Sequence, residues 1–457
     1  MRHNDSSYMN YRELAPIIAS YAKRMSYTHV ELLPISEHQN DYSLGYESNG
    51  FYSPSSRFGT PDDLKHFINV MHNSGVGVIF SWVPSKFSCD EHGLIEFDGK
   101  PLYESTNHYP RQKNDSACSF DLSKKEIQSY LLSNACYYIR DFHIDGLRVC
   151  DLCAMLYLDH NKAIGEWQPN RHGGNINFEA VAFIKQLTST IKMVCPDTLI
   201  IADDSGEYKN VIGTRNGGLG FDLKWNDKLK EDSLRAITST SVTGNIAFNK
   251  LSNCILSETD ILPLSHTEFT YPKKALLNKM PGEYNMKFAA HRAYTLYTMT
   301  LPTKKLSFMS CEFGQFAEWD CTRSIEWFML DYDMHNKLHR FTSDINAIYL
   351  STPPLWFSDD KNCYKTITHD PTGNKTSVFK RTDDTGGEII VIISFSDQHS
   401  SVTIQTDESK YKMLISTENS LYGGNKNYAS TFYQPRNSKL RLDLAPFECI
   451  ILERESN

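Results

Sequence analysis

Short apolar runs alternate with amphipathic segments along the first three quarters of the chain. In one such unit, Thr60 and Pro61 predict the start of a helix whose apolar residues recur every three or four positions. Gly75 can end that helix, and the apolar residues 78–80 then indicate a buried strand. Repeated strand–helix units of this kind are typical of a parallel β-sheet flanked by helices.

The same alternation continues along the chain. Ser123 and Glu126 predict a capping box at the start of a second helix, and residues 181–191 have the periodicity of a third. Strands are predicted at residues 30–33, 78–80, 146–149, 199–201, 221–225, 261–264 and 306–309. The strands suit a closed barrel better than an open sheet, so the predicted fold class is α/β, a (β/α)8 TIM barrel.

The pattern changes after residues 351–354. Beyond them, Val402 and Ile404 alternate with polar residues, and residues 389–393 form an apolar run between turns rich in Gly and Asn. These features predict a C-terminal antiparallel β-sandwich. We therefore expect two domains, the barrel at residues 1–350 and the sandwich at residues 351–457.

Composition narrows the kinds of partner. The 457 residues carry a formal net charge of -8, which argues against nucleic acid or an anionic membrane as a partner and suits a neutral sugar. No apolar run is long enough for a membrane span, and the N-terminus lacks the apolar stretch of a signal peptide. Eleven cysteines without a repeating spacing favour a reducing, cytoplasmic location.

Cys150 and Cys153 form a C-x-x-C pair, which invites a redox or zinc interpretation. A single pair without a second pair or suitably spaced histidines is a weak signal for either. We therefore expect no metal and no cofactor.

Blocks of sequence stand in a fixed order along nearly the whole chain. They include ELLPI at 31–35, SRFGTP at 56–61, WVP at 82–84, HIDGLRV at 143–149, LPLSH at 262–266 and LNKMPG at 277–282. In these blocks the chain resembles the 1,4-α-glucan (glycogen) branching enzymes of the α-amylase superfamily. The carbohydrate-binding module that usually precedes the barrel in that family is expected to be absent.

The resemblance implies a retaining glycosyl transfer, in which one carboxylate is the nucleophile and a second carboxyl group is the acid/base. The family adds a third acid that holds the sugar hydroxyls. Cys150 stands at the nucleophile position, Asp203 stands at the acid/base position with a side chain one methylene shorter, and Thr267 stands at the position of the third acid. Because two of the three acids are missing and the other is shortened, we expect catalysis to be lost.

Five further positions match sugar-contacting residues of the family. They are Tyr46, Arg148 and His266, which agree with the family, and Ser81 and Lys86, which replace its Asp and His. The first three could equally persist as packing around an unused pocket. Lys86 is most simply a cation at the surface of the pocket. A more specific interpretation is that it fills the sugar site and pairs with Asp203 or Asp204. Three tryptophans could stack on sugar or belong to the core: Trp82, Trp167 and Trp225.

Three functions remain open on the sequence. The leading hypothesis is an inactive homologue that binds α-1,4-glucan or regulates glycogen metabolism, with a protein partner in that metabolism. The second is a weak, active branching enzyme that uses Asp151 or Cys150 together with Asp203. The third is a protein-interaction scaffold without sugar binding.

Overall fold

The computed structural model describes residues 2–104, 117–163, 165–203, 208–239, 241–252, 256–257, 259–357, 363–370, 375–428 and 431–455. The chain forms two compact units. The first comprises Met1–Trp225 with Cys321–Arg323, and the second comprises Asn226–Asp320 with Ser324–Asn457. The predicted domain boundary after residue 350 stays a prediction.

The first unit is built on a parallel sheet whose strands alternate with helices. Its helices are α1 (Tyr11–Arg24), α2 (Pro61–Asn73), α3 (Lys125–Phe142), α4 (Leu152–Leu156) and α5 (Phe178–Val194). Its strands are β1 (His29–Leu32), β2 (Ser36–His38), β3 (Ser48–Pro54), β4 (Gly77–Trp82), β5 (Lys86–Ser88), β6 (Ala117–Ser119), β7 (Gly146–Val149), β8 (Leu199–Ala202) and β9 (Leu223–Trp225). The strands β1, β4, β7, β8 and β9 pair in that order and are all parallel.

The local sequence predicts the start of α2 correctly but places the start of α3 too early. Thr60 caps α2 in a reciprocal capping box with Asp63, as the Thr60–Pro61 signal predicted. The predicted capping box at Ser123 is wrong, because α3 starts at Lys125 and its cap residue makes no side-chain hydrogen bond. Asp121 Oδ1 instead accepts the amide and the hydroxyl of Ser123, at 3.1 and 2.6 Å, in a turn that precedes α3.

The second unit contains the remaining helices and strands. Its helices are α6 (Asp227–Thr238), α7 (Val242–Ser252), α8 (Leu276–Lys279), α9 (Tyr284–Thr300), α10 (Asp333–Ser351) and α11 (Pro353–Trp356). Two parallel strands, β10 (Asp260–Pro263) and β11 (Lys304–Leu306), pair with each other. The last predicted barrel strand therefore ends at Leu306 rather than running to residue 309.

The rest of the second unit is an antiparallel β-sandwich. Its strands are β12 (Tyr364–Asp370), β13 (Thr376–Thr382), β14 (Glu388–Ser394), β15 (Ser400–Gln405), β16 (Tyr411–Ser416), β17 (Phe432–Tyr433), β18 (Lys439–Leu444) and β19 (Ile450–Arg454). The sheet order is β12-β13-β14-β19-β16-β17, and β15 pairs with β18 in a second sheet. Ile392 of the larger sheet and Val402 and Leu442 of the smaller share one apolar core. The predicted sandwich is thereby confirmed.

Candidate active site

Neighbouring parallel strands of the first unit bring several predicted site residues together. Ser81 of β4 lies in register with Arg148 of β7, and Arg148 lies in register with Ile201 of β8. Cys150 follows β7 directly, and Asp203 follows β8. These residues stand at the carboxyl ends of the strands, which is where parallel barrels place their active sites.

Arg148 is the centre of this cluster, and it is 1% exposed. Its Nε atom lies 2.6 Å from Glu31 Oε1, and its Nη1 atom lies 2.7 Å from Asp203 Oδ2. Its Nη2 atom donates to the Tyr46 hydroxyl at 2.8 Å and to Ser81 Oγ at 2.9 Å. The N–H donors of the guanidinium group are therefore engaged by protein side chains.

The surroundings keep Arg148 charged. Its Cζ atom lies 4.1 Å from the centroid of the Trp225 ring, which favours a cation. Burial works to lower the pKa of Arg148, but Cys150, Glu31, Tyr46 and Asp203 together raise it above its usual value. The cluster thus holds one fixed cation against two carboxylates, those of Glu31 and Asp203.

Cys150, at the nucleophile position, is fully buried. Burial raises the pKa of its thiol above the usual value, and the carboxylates of Asp203, Glu31 and Asp151 raise it further against the opposing effect of Arg148. The thiolate is the nucleophilic form of cysteine. The effect of Arg148 therefore does not bring the pKa of Cys150 down to its usual value, and these surroundings favour the neutral thiol.

Asp203, at the acid/base position, serves as a counter-ion. The ion pair at 2.7 Å joins it to a guanidinium that is itself fully enclosed. Such a charge-assisted hydrogen bond favours the ionised carboxylate, whereas an acid/base residue must carry a proton in part of the cycle. The carboxylate of Asp203 thus pairs with Arg148 and also acts on the nearby Cys150 thiol.

Lys86 and Asp151 form a second, more exposed group beside this cluster. Lys86 Nζ lies 3.6 Å from Asp151 Oδ2. The predicted pairing of Lys86 with Asp203 or Asp204 stays a prediction, because Asp204 lies outside the described residues. Asp151 also accepts a hydrogen bond from Ser85 and lies 3.9 Å from His160 Nε2. Its φ of 58° places Asp151, the second residue after β7, in the left-handed region.

In the second unit, the positions of the third acid and its neighbour follow β10. Thr267 is exposed, and its hydroxyl is 2.9 Å from that of Ser265. His266 is buried, with its ring edge-on to the Trp319 ring at 6.1 Å. A hydroxyl can hydrogen-bond to a sugar but supplies no negative charge at this position.

The next residue along, Glu268, is paired with lysine side chains. It lies 3.1 Å from Lys230 Nζ and 3.7 Å from Lys273 Nζ. Burial alone would raise the pKa of Glu268, but Lys230, Lys273 and Lys279 together lower it. Its carboxylate is thus part of a structural ion-pair group within the second unit.

The sequence did not point to Glu31 as a residue of this cluster, and it left open whether the tryptophans contact sugar or belong to the core. Glu31 accepts hydrogen bonds from Arg148 and from Ser81, the latter at 3.0 Å. An ionisable residue inside an otherwise apolar strand was the signal that could have revealed it. Trp82 belongs to the core, because it is buried and its Nε1 donates to Asn134 at 2.7 Å.

Comparison with solved structures identifies the class of fold. The α-amylase from Geobacillus thermoleovorans, solved in complex with acarbose, superposes with a TM-score of 0.72 at 14% identity, covering 100% of this chain and 95% of that one. A family model described as the α-amylase C-terminal all-β domain matches residues 367–455. The predicted fold class, a parallel α/β barrel fold followed by an antiparallel β domain, is confirmed.

Sequence relatives define the family within this class. The 1,4-α-glucan branching enzyme GlgB of Desulfitobacterium hafniense is 41% identical over 432 residues, covering 93% of this chain and 68% of that protein. The GlgB of Halothermothrix orenii is 39% identical, covering 95% of this chain and 70% of that protein. The chain belongs to the GlgB branching-enzyme family. No helix in the described part of the chain combines the length and apolarity that crossing a membrane requires.

Proposed function

We propose that this chain is a non-catalytic member of the branching-enzyme family that binds α-1,4-glucan and acts in glycogen metabolism. The observation that carries the proposal is the state of the nucleophile position, where a fully buried thiol has its pKa raised above the ordinary value. Formation of a glycosyl-enzyme needs an exposed, ionised nucleophile beside a protonated acid. Neither condition fits the surroundings of Cys150 and Asp203.

Two features support a glucan as the ligand. Relatives that share about 40% of their residues with this chain are named 1,4-α-glucan branching enzymes. Tyr46 and His266 retain the residue types that contact sugar in that family. Sugars gain only modest net free energy from each hydrogen bond exchanged with water, so we expect Kd values in the high micromolar to millimolar range. A protein partner in glycogen metabolism and a cytoplasmic location belong to the same proposal.

The direct test is incubation of the purified protein with amylose, followed by proton NMR counting of α-1,6 linkages. We expect no branches and no new reducing ends. Cys150→Ser is the matched control, because it removes the thiol and keeps the size of the side chain. Turnover by the natural protein above that control would refute the proposal and favour a weak enzyme that uses Cys150.

Calorimetry with maltoheptaose tests the binding half of the proposal. Heat of binding at millimolar ligand is the expected result. If a sample that melts cooperatively shows no heat of binding at that concentration, glucan binding is contradicted. That result would favour a scaffold that works through protein contacts alone.

A further inference from the structure

The helix α9 places an exposed tyrosine at the end of the second unit that carries Thr267. This helix runs from Tyr284 to Thr300 and leads directly into β11, which is parallel to β10. A helix that connects two parallel strands must return from the carboxyl end of the first strand to the amino end of the second. Tyr284, the first residue of α9, therefore lies at the carboxyl end of β10, as Thr267 does.

Tyr284 belongs to a group of adjoining aromatic rings. It is 44% exposed, and Tyr332, which immediately precedes α10, is 56% exposed. The centroids of their rings lie 6.5 and 6.3 Å from that of His335, so the two tyrosines adjoin the same side chain. Phe316 lies 6.1 Å from Tyr284 and 5.2 Å from His335. Single exposed aromatic residues are common on protein surfaces, whereas adjoining ones indicate a binding surface.

The side chains beneath these tyrosines are buried and fixed. His335 is buried, and its Nδ1 atom lies 2.9 Å from the carbonyl oxygen of Phe313. Phe288 is also buried and meets the His335 ring edge-on at 4.9 Å. Because the exposed rings rest on a packed base, a ligand that lies across them causes little loss of conformational entropy.

The polar atoms around the two rings suit an uncharged ligand that is rich in hydroxyl groups. Among the residues that the structure describes, the hydroxyl groups of Tyr284 and Tyr332 have no hydrogen-bond partner. Burial, Asp333 and Tyr332 raise the pKa of Tyr284, so its hydroxyl stays a donor. Lys337 Nζ lies 2.8 Å from Asp333 and balances its charge. The rings offer apolar faces to the C–H groups of a sugar, and their hydroxyl groups can bond to its hydroxyl groups.

We propose that Tyr284 and Tyr332 form a surface platform that binds a chain of α-1,4-linked glucose. The platform rests on the proposed function for the identity of its ligand, and it adds a binding site to the residues described above. It favours long chains, because one polymer can contact the platform and a second site on the same protein at once.

Affinity electrophoresis in native gels that contain glycogen measures this binding on the intact protein. The double variant Tyr284→Ala/Tyr332→Ala should have a Kd for glycogen on the order of 10-fold higher than that of the natural protein, since it lacks both aromatic contacts. Tyr284→Phe/Tyr332→Phe keeps both rings and should lose less affinity. Phe432→Ala is the matched control, because Phe432 is 41% exposed on β17, and its Kd should not change.

Acetylation of tyrosines by N-acetylimidazole gives a second readout that needs no variant. Millimolar maltoheptaose should slow the acetylation of Tyr332 in the natural protein, as mapped by mass spectrometry. Tyr52 of the first unit, which is 37% exposed, serves as the reference and should keep its rate.

The outcomes separate the platform from the proposed function. If the double variant and the natural protein are retained equally, or if Tyr332 is not protected, the platform is refuted while glucan binding elsewhere on the protein stands. If glycogen retains none of the proteins, glucan binding itself is refuted, and the platform with it. Dimers of the natural protein that the double variant abolishes, with unchanged retention by glycogen, would assign the surface to a second copy of the chain and overturn the inference.

Discussion

The substitution Asp203→Asn tests whether Asp203 acts as a structural counter-ion or as a catalytic acid. The substitution keeps the shape of the side chain and removes its charge, so that Arg148 loses the partner at 2.7 Å and keeps Glu31 at 2.6 Å. Hydrogen bonds to charged groups contribute roughly 1.5–3 kcal/mol. Because Asp203 is 23% exposed, the lower part of that range applies, and we expect a loss of about 2 kcal/mol in the free energy of unfolding.

Urea unfolding at pH 7, followed by circular dichroism, measures this loss. Asp333→Asn is the control, because its partner Lys337 lies at a similar distance, 2.8 Å, while the Asp333 side chain is 74% exposed. Exposed pairs of this kind contribute about 0.5 kcal/mol or less. A double-mutant cycle with Arg148→Met should show coupling between Arg148 and Asp203. Unchanged stability combined with loss of a measurable branching activity would refute the reasoning and make Asp203 an acid/base residue.

Two further predictions concern pH and repair. Burial lowers the pKa of His291 from 6.5 to about 4. As the pH falls, the unfolded chain therefore takes up a proton at this residue before the folded chain does. The free energy of unfolding should thus fall by about 3 kcal/mol between pH 6.5 and pH 4. His291→Gln should flatten that part of the urea-unfolding profile, and an identical slope in both proteins would contradict the assignment. Turnover on amylose should require five changes together, because residues that act as a unit are non-additive; product from Cys150→Asp alone would show this to be wrong. The five are Cys150→Asp, Asp203→Glu, Thr267→Asp, Ser81→Asp and Lys86→His.

The fold followed from sequence because its signals are local and repeated. The apolar strand at residues 78–80, preceded by a capped helix and Gly75, appears as β4 after α2, since both elements bury the faces that the pattern marked. The failure at Ser123 was local too, because Asp121, two residues earlier, accepts the Ser123 amide and hydroxyl and closes a turn there. A side chain that can cap a helix can equally close a turn.

The site was predicted only in part, because its contacts depend on strand register. The sequence placed Cys150 and Asp203 at the ends of successive strands, and the structure brings them together around Arg148. It did not reveal that Glu31, two strands away, is the second counter-ion, since that contact needs β1, β4 and β7 in a particular alignment. Nor did it reveal that Lys86 pairs with Asp151, whose backbone is in the left-handed region.

The enclosed guanidinium of Arg148 also limits which substitutions position 150 can accept. Its charge is exceeded by those of Glu31 and Asp203, so an aspartate placed at position 150 would enter a buried space with a surplus of negative charge. Carboxylates crowded together in a buried site raise one another's free energy and destabilise the fold that holds them. A change of this residue alone therefore lowers stability before it can add any function, and selection would accept it only after a compensating change elsewhere in the cluster.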